Sequence, residues 1–181
     1  MKSSVVFPKR FVVGATVALW VLSGATVSAQ LQAQKVRIGV YDSRAVAVAY
    51  ANSTEWQEVM KATRADYEKA KAAKEEKQMK EIEGRMKLAQ LRAHEQGFST
   101  GSVAGVVAKV KGALPGIAQR AGVPVIVSKW ELNYQSPDVE LVDVTDEVVA
   151  LFHVSDKGKA WAKDIRTKPP VPMEEITEDM D

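Results

Sequence analysis

Residues 55–96 read EWQEVMKATR ADYEKAKAAK EEKQMKEIEG RMKLAQLRAH EQ. The stretch has no proline and one glycine, Gly84. It is built mostly from Ala, Lys, Glu, Met, Arg and Gln, whose side chains lose little freedom in a helix. Ten Lys or Arg alternate with nine Asp or Glu. As one straight helix it spans about 60 Å, longer than a small core needs. Its apolar residues are too sparse for the centre of a domain and too regular for disorder. It reads as an exposed, charged coiled-coil arm, with the rest of the chain as its base.

The apolar spacing divides the arm in two. Met79, Ile82, Met86, Ala89 and Ala93 step by 3, 4, 3 and 4, a heptad seam. Upstream, Trp56, Met60, Thr63, Tyr67 and Ala70 form a second seam. Continuing that register places Lys74, Lys77 and Glu81 at seam positions, so the phase breaks near Lys74–Gln78. No Gly, Pro or Asn marks a turn there, which locally favours one helix with a stutter. A helical hairpin makes better physical sense, because each seam then has a partner in its own chain, and the arm is read as a hairpin of that kind.

Outward from the arm, the N-terminal side begins with a signal. Lys2, Lys9 and Arg10 make a positive start, Phe11–Val27 is apolar or small, and Val27-Ser28-Ala29 fits the small-x-small cleavage rule. Residues 1–29 are read as a secretory signal peptide cleaved after Ala29; an uncleaved anchor is the alternative, since the run nears the roughly 20 residues of a membrane span. Lys35–Tyr41 alternates and is β-branched, the pattern of a strand. Asp42 or Ser43 then caps a helix from about Arg44 to Ala51, and Thr54 can cap the arm.

On the C-terminal side, Gly97–Gly101 reads as a loop. Ser102 starts a helix to about Ala121, striped with Val103, Val106, Val107, Val110, Leu114 and Ile117 and kinked at Pro115. Val123–Lys129 and Val139–Val142 read as two more strands, and Thr145 caps a helix to about Phe152. Ser155 can cap a last helix through Ile165. Lys168–Pro172 is then held extended, and Glu174–Asp181 is an acidic, frayed end. The fold class is α+β: a small three-stranded β base with packed helices (residues 30–54 and 97–153), a projecting arm (55–96), and a C-terminal helix with a Pro-rich acidic tail (154–181).

Charge and composition exclude several chemistries. The pI near 8.7 belongs largely to the signal. Loss of Lys2, Lys9 and Arg10 takes the formal charge from +2 to −1, so the mature chain has no nucleic-acid footprint. With no cysteine, thiol chemistry and cysteine-based metal sites are out. The two histidines, His94 and His153, have no ligand or triad spacing around them. His94 reads as solvated and His153 as a cation at a helix C-terminus. Asp42 follows a strand but is explained by capping, and Asp138, Asp143 and Asp146 lack the spacing of an EF-hand loop. No catalytic, cofactor-binding or metal site is expected, and the chain is read as a non-enzyme.

The order of elements carries a resemblance. A strand opens Lys-Val-Arg-Ile-Gly-Val-Tyr-Asp-Ser (35–43), and a charged Ala/Lys/Glu arm and a returning helix follow. The chain then runs through Val123–Ser128, Leu132–Val139 and Asp143-Val144-Thr145-Asp146-Glu147-Val148. This resembles the OmpH/Skp family of periplasmic chaperones over about Lys35–Phe152, most specifically at Tyr134–Val148. The resemblance implies a homotrimer whose β bases associate and whose helical hairpins surround a cavity for unfolded outer-membrane proteins. The arm is shorter than the family's usual tentacle, the mature charge is near neutral rather than basic, and the tail after Phe152 is extra.

The function expected is that of a periplasmic, ATP-independent holdase that shields unfolded outer-membrane proteins between its arms, without stable membrane insertion once the signal is removed. The candidate client contacts are Trp56, Met60, Tyr67, Met79, Ile82, Met86 and Leu88, because thioethers and aromatic rings adapt to irregular apolar surfaces. For Met79, Ile82 and Met86, packing within the arm's own seam is the favoured role. The alternative function is an envelope scaffold or adaptor whose arm binds one folded partner. Client breadth separates the two.

Overall fold

The computed structural model describes residues 35–177. Residues 1–34, with the expected signal peptide, and the last four residues of the acidic end lie outside the described residues. The fold is mixed α and β. Strand β1 (Val36–Tyr41) leads into helix α1 (Ser43–Ala51), followed by α2 (Thr54–Ala72), α3 (Glu76–Phe98) and α4 (Ala104–Val107). Helix α5 (Leu114–Ala121), strands β2 (Ile126–Ser128) and β3 (Val139–Asp143), and helices α6 (Thr145–Val149) and α7 (Asp156–Ile165) complete it.

The three expected strands form one sheet in the order β2-β1-β3, and every pairing is parallel. Gly39 lies in register with Ile126 on one side and Val142 on the other. Side chains alternate across a strand, so Tyr41, Ile126 and Val142 share a face, and all three belong to the hydrophobic core beneath the helices. A Cβ at Gly39 would stand 3.0 Å from Ile126 and from Val123, so this crowded centre takes glycine.

The opposite face carries Val36, Ile38 and Val40 from β1, with Val127 from β2 and Val139 and Leu141 from β3, as the register dictates. The helical connection from β1 to β2 covers the core face. The return from β2 to β3 runs the other way across β1, and right-handed crossovers then put residues 129–138 over the second face. Trp130 fits that path: its indole N–H donates to Asp42 (3.0 Å), which is in phase with Val40. This thin cover leaves Val36 57 % and Val125 47 % exposed, with Tyr134 at 78 %.

Helix α1 is the axis of the base. Asp42 caps it, accepting from the Arg44 backbone N–H at 3.0 Å. Seven of its nine residues are buried, packed by α3, α6 and α7. The expected helix from Ser102 to Ala121 is not one kinked rod. It breaks into α4, a tighter 3-10 segment (Ala108–Ala113) and α5. Pro115 has no N–H to continue the ladder and sits in the first turn of α5, where none is needed. Gly122 ends α5 in the left-handed conformation, φ 64°.

Two boundaries of the arm differ from expectation. Ser53, not Thr54, caps α2: its buried hydroxyl accepts from the Trp56 N–H and donates to the Tyr50 carbonyl. Residues 97 and 98 are not loop. Helix α3 runs on through Gly97 and Phe98 and packs against α1, with Gly97 buried close to Val48. A continuous α3 lets the base grip the arm, which the composition of Gly97–Gly101 conceals.

Candidate functional site

The arm is a hairpin, not one continuous helix. Helices α2 and α3 are joined by a turn at Ala73–Glu75 and pack on each other. Lys74 makes the turn with φ 59°, a left-handed conformation that a non-glycine residue adopts at a cost. Its position coincides with the phase break in the heptads. The two seams face each other as the hairpin demands: Ala70 is 2 % exposed and Ile82 0 %. Across the seam the Tyr67 hydroxyl donates to Glu83 (2.9 Å), and this carboxylate raises the Tyr67 pKa.

The structure distributes the candidate contacts over three settings. Ile82 is withdrawn from the surface as the hydrophobic pin of the seam, the role favoured for it over client contact. Trp56 belongs to the arm's root, where its ring meets Tyr50 edge-on with centroids 5.5 Å apart. Met60, Tyr67, Met79 and Met86 are half-buried along the seam, each showing one edge to solvent. Leu88 is exposed on the outside of the hairpin. Val59 is also exposed, at 46 %. The sequence reading missed it because it lies off the heptad; an apolar residue off the seam of a charged helix is the signal that marks it.

A cleft of about 530 Å³ opens at the root, between α1, α3 and α7. Ala47, Ala51, Ala93 and Gly97 line it with small residues, and Phe98 and Trp161 supply aromatic walls.

At the C-terminal edge of the sheet stands a buried charge cluster. Arg44 is 0 % and Asp42 1 % exposed. The Arg44 guanidinium donates to both Asp42 oxygens, at 3.3 and 3.1 Å, and lies over the Trp130 ring, 4.8 Å from its centroid. Lys129 adds an ion pair to Asp42 at 2.8 Å. Burial alone would raise the Asp42 carboxyl, but the hydrogen bonds from Arg44, Lys129 and Trp130 outweigh it and bring the group down to about 2. Capping therefore accounts for only part of Asp42, which also joins β1, α1 and the 129–138 crossover. Arg44, Lys129 and Trp130 all converge on the one Asp42 carboxylate, the arrangement of a structural clasp.

Both histidines have partners elsewhere in the fold. The His153 Nδ1 meets the Glu55 carboxylate in the first turn of α2. That contact, more than any other, holds the Glu55 carboxyl down at about 2. His94 is hydrogen-bonded through Nδ1 to the Thr177 carbonyl (2.9 Å), and its ring lies tilted against Phe98, centroids 5.5 Å apart. Among the described residues, no group of three His, Asp or Glu is placed to hold a metal ion. No helix among them is long and apolar enough to cross a membrane.

Comparison with protein-family models, with curated proteins and with solved structures finds no match to this chain.

Proposed function

We propose that the protein is an ATP-independent holdase of the cell envelope, of the OmpH/Skp kind, that shields unfolded outer-membrane proteins between the arms of a homo-oligomer, expected as a trimer. The observation that carries this reading is the hairpin. It is a long, charge-covered pair of helices with the edges of Met60, Met79 and Met86 along its seam and Val59 and Leu88 beside it. Such a surface can touch many apolar segments weakly without aggregating.

The base supports self-association. A wholly parallel sheet is ordinarily covered on both faces, and among the described residues the 129–138 crossover leaves Val36 and Val125 exposed on the second face. Among the described residues its two edges, β2 and β3, have no further strand, and open edges invite pairing. Association between bases would cover both. Export follows from the sequence of residues 1–29 alone.

The test is aggregation of urea-denatured outer-membrane β-barrels diluted into buffer, with and without residues 30–181. Suppression of several unrelated barrels at near one oligomer per client is expected, and the Val59→Ser/Leu88→Ser double variant should weaken it without changing the base. Folded protein that protects none of them sinks the holdase reading and leaves the adaptor. Sedimentation equilibrium addresses association separately: Val36→Lys on the exposed sheet face should yield monomers, and a wild-type chain that is already monomeric removes the oligomer from the proposal.

A further inference from the structure

The tail after Phe152 has no part in the reading above, yet it touches both legs of the arm. At the first leg, the Thr54 N–H donates to the His153 carbonyl (3.1 Å), Ser53 and Val154 form an isolated antiparallel bridge, and the His153 ring meets Glu55. At the second leg, the Val171 N–H donates to the Phe98 carbonyl (2.9 Å), and His94 bonds the Thr177 carbonyl. Between the two lies α7, packed on α1 through the buried Ala162. The fully buried Arg44 donates to the Lys168 carbonyl at 2.9 Å, so the charge cluster anchors the chain where it leaves α7.

We propose that residues 153–177 are a two-point brace that fixes the angle at which the hairpin leaves the base.

Three features fit a brace better than a loose end. The last carbonyls of a helix have no partner within it, and here a carbonyl of α3's last turn is satisfied by the tail. Within Pro169-Pro170-Val171-Pro172, Val171 alone has a backbone N–H, and that N–H makes the bond to Phe98. The flanking prolines restrict the unbound tail, so less freedom is lost on docking. Finally, the chain's two histidines stand one at each fastening.

The leverage is large. Helix α2 has 19 residues, about 28 Å at 1.5 Å per residue, so a rotation of about 10° at the root carries the tip about 5 Å. A brace at the root therefore sets how far apart neighbouring arms stand, whatever those arms bind.

The absence of cysteine makes the test direct. Spin labels at Ala73→Cys on the turn and Lys111→Cys on the base report the tip-to-base distance in the full chain, diluted with unlabelled protein. In the Val171→Pro/His153→Ala variant the distance distribution should shift or broaden by about 5 Å, while Val171→Leu, which keeps the N–H, should match the wild type. A second measurement needs no variant: in the wild-type protein, the amide hydrogens of Val171 and Thr54 should exchange more slowly than exposed amides. Free exchange at both positions overturns the brace. So does a tip distribution in Val171→Pro/His153→Ala as narrow as in Val171→Leu. Neither readout involves a client, so failure of the holdase reading leaves this test intact.

Discussion

Helices α1 and α2 are neighbours in the chain and opposites in environment. Helix α1 buries seven of nine residues, including a charged Arg44, and α2 buries one of nineteen, Ala70. Both are rich in alanine, so helix propensity does not separate them. What differs is the number of elements each must satisfy. Helix α1 meets a neighbour on almost every side and is Ala/Val-rich all round, with its one charge neutralised by Asp42. Helix α2 meets α3 along one stripe and spends its other faces on Lys, Arg, Asp and Glu. The base holds together by closure of a three-dimensional core; the arm holds by a single seam and is free to present the remainder. A lesion in the base should therefore be global, and a lesion in the arm local.

The sharpest way to break that contrast is Asp42→Ala. It leaves Arg44 buried without its carboxylate, a change that ordinarily costs about 3–5 kcal/mol. Urea denaturation should show the whole base destabilised, and a loss under about 1 kcal/mol would mean the cluster is wetter than its burial indicates. Ile82→Ala comes next, at about 2–4 kcal/mol for removing a fully buried side chain. Here the loss should appear as faster hydrogen exchange confined to α2 and the first half of α3, with the exchange of α1 unchanged. Equal acceleration in α1 would show that arm and base unfold as one unit.

The third test uses pH. The Asp42 carboxyl, held by Arg44, Lys129 and Trp130, lies at about 2 in the folded protein, below its ordinary value of 3.8. A carboxyl with a depressed folded pKa stabilises fully above its unfolded value and loses that contribution as pH falls through the folded one. Between about pH 5 and pH 1 the base should lose about 2.5 kcal/mol, and a stability curve that is flat over this range would contradict the clasp. The smallest effect is expected at the tip. Lys74→Gly relieves the left-handed turn and should raise hairpin stability by no more than about 1 kcal/mol, read as slower exchange near Ala70.

How much of this was legible follows the same division. The arm's two seams were written in its heptads, because a seam is a local pattern, and the loss of phase at Lys74–Gln78 stood where the turn is; that the break is a turn and not a stutter was not legible, since no Gly, Pro or Asn marks it. The strands were legible from their β-branched alternation. The parallel order was not, since nothing local in Ile126–Ser128 or Val139–Asp143 names β1 as the shared neighbour. Asp42 could be read as a cap because its partner is two residues away. Its bonds to Lys129 and Trp130 span the whole arm and left no trace in spacing. The fastening of the tail was hidden for the same reason: one N–H among prolines becomes meaningful only once Phe98 is seen opposite it.

The central position of β1 has a consequence for the order in which the molecule can assemble. It is the first strand made, and both of its partners lie beyond the arm in sequence. Until residues 126–143 exist, β1 has nothing to pair with and α1 lacks α6 and α7 to cover it. The hairpin depends only on contacts near in sequence and can form early. Once formed, it brings Thr54 and Phe98 together and roughly halves the free chain that must close to set Gly39 beside Ile126, a saving of about 0.6 kcal/mol in closure entropy. The segment that looks like an appendage of the finished protein is thus also the splint on which its slowest contact is made.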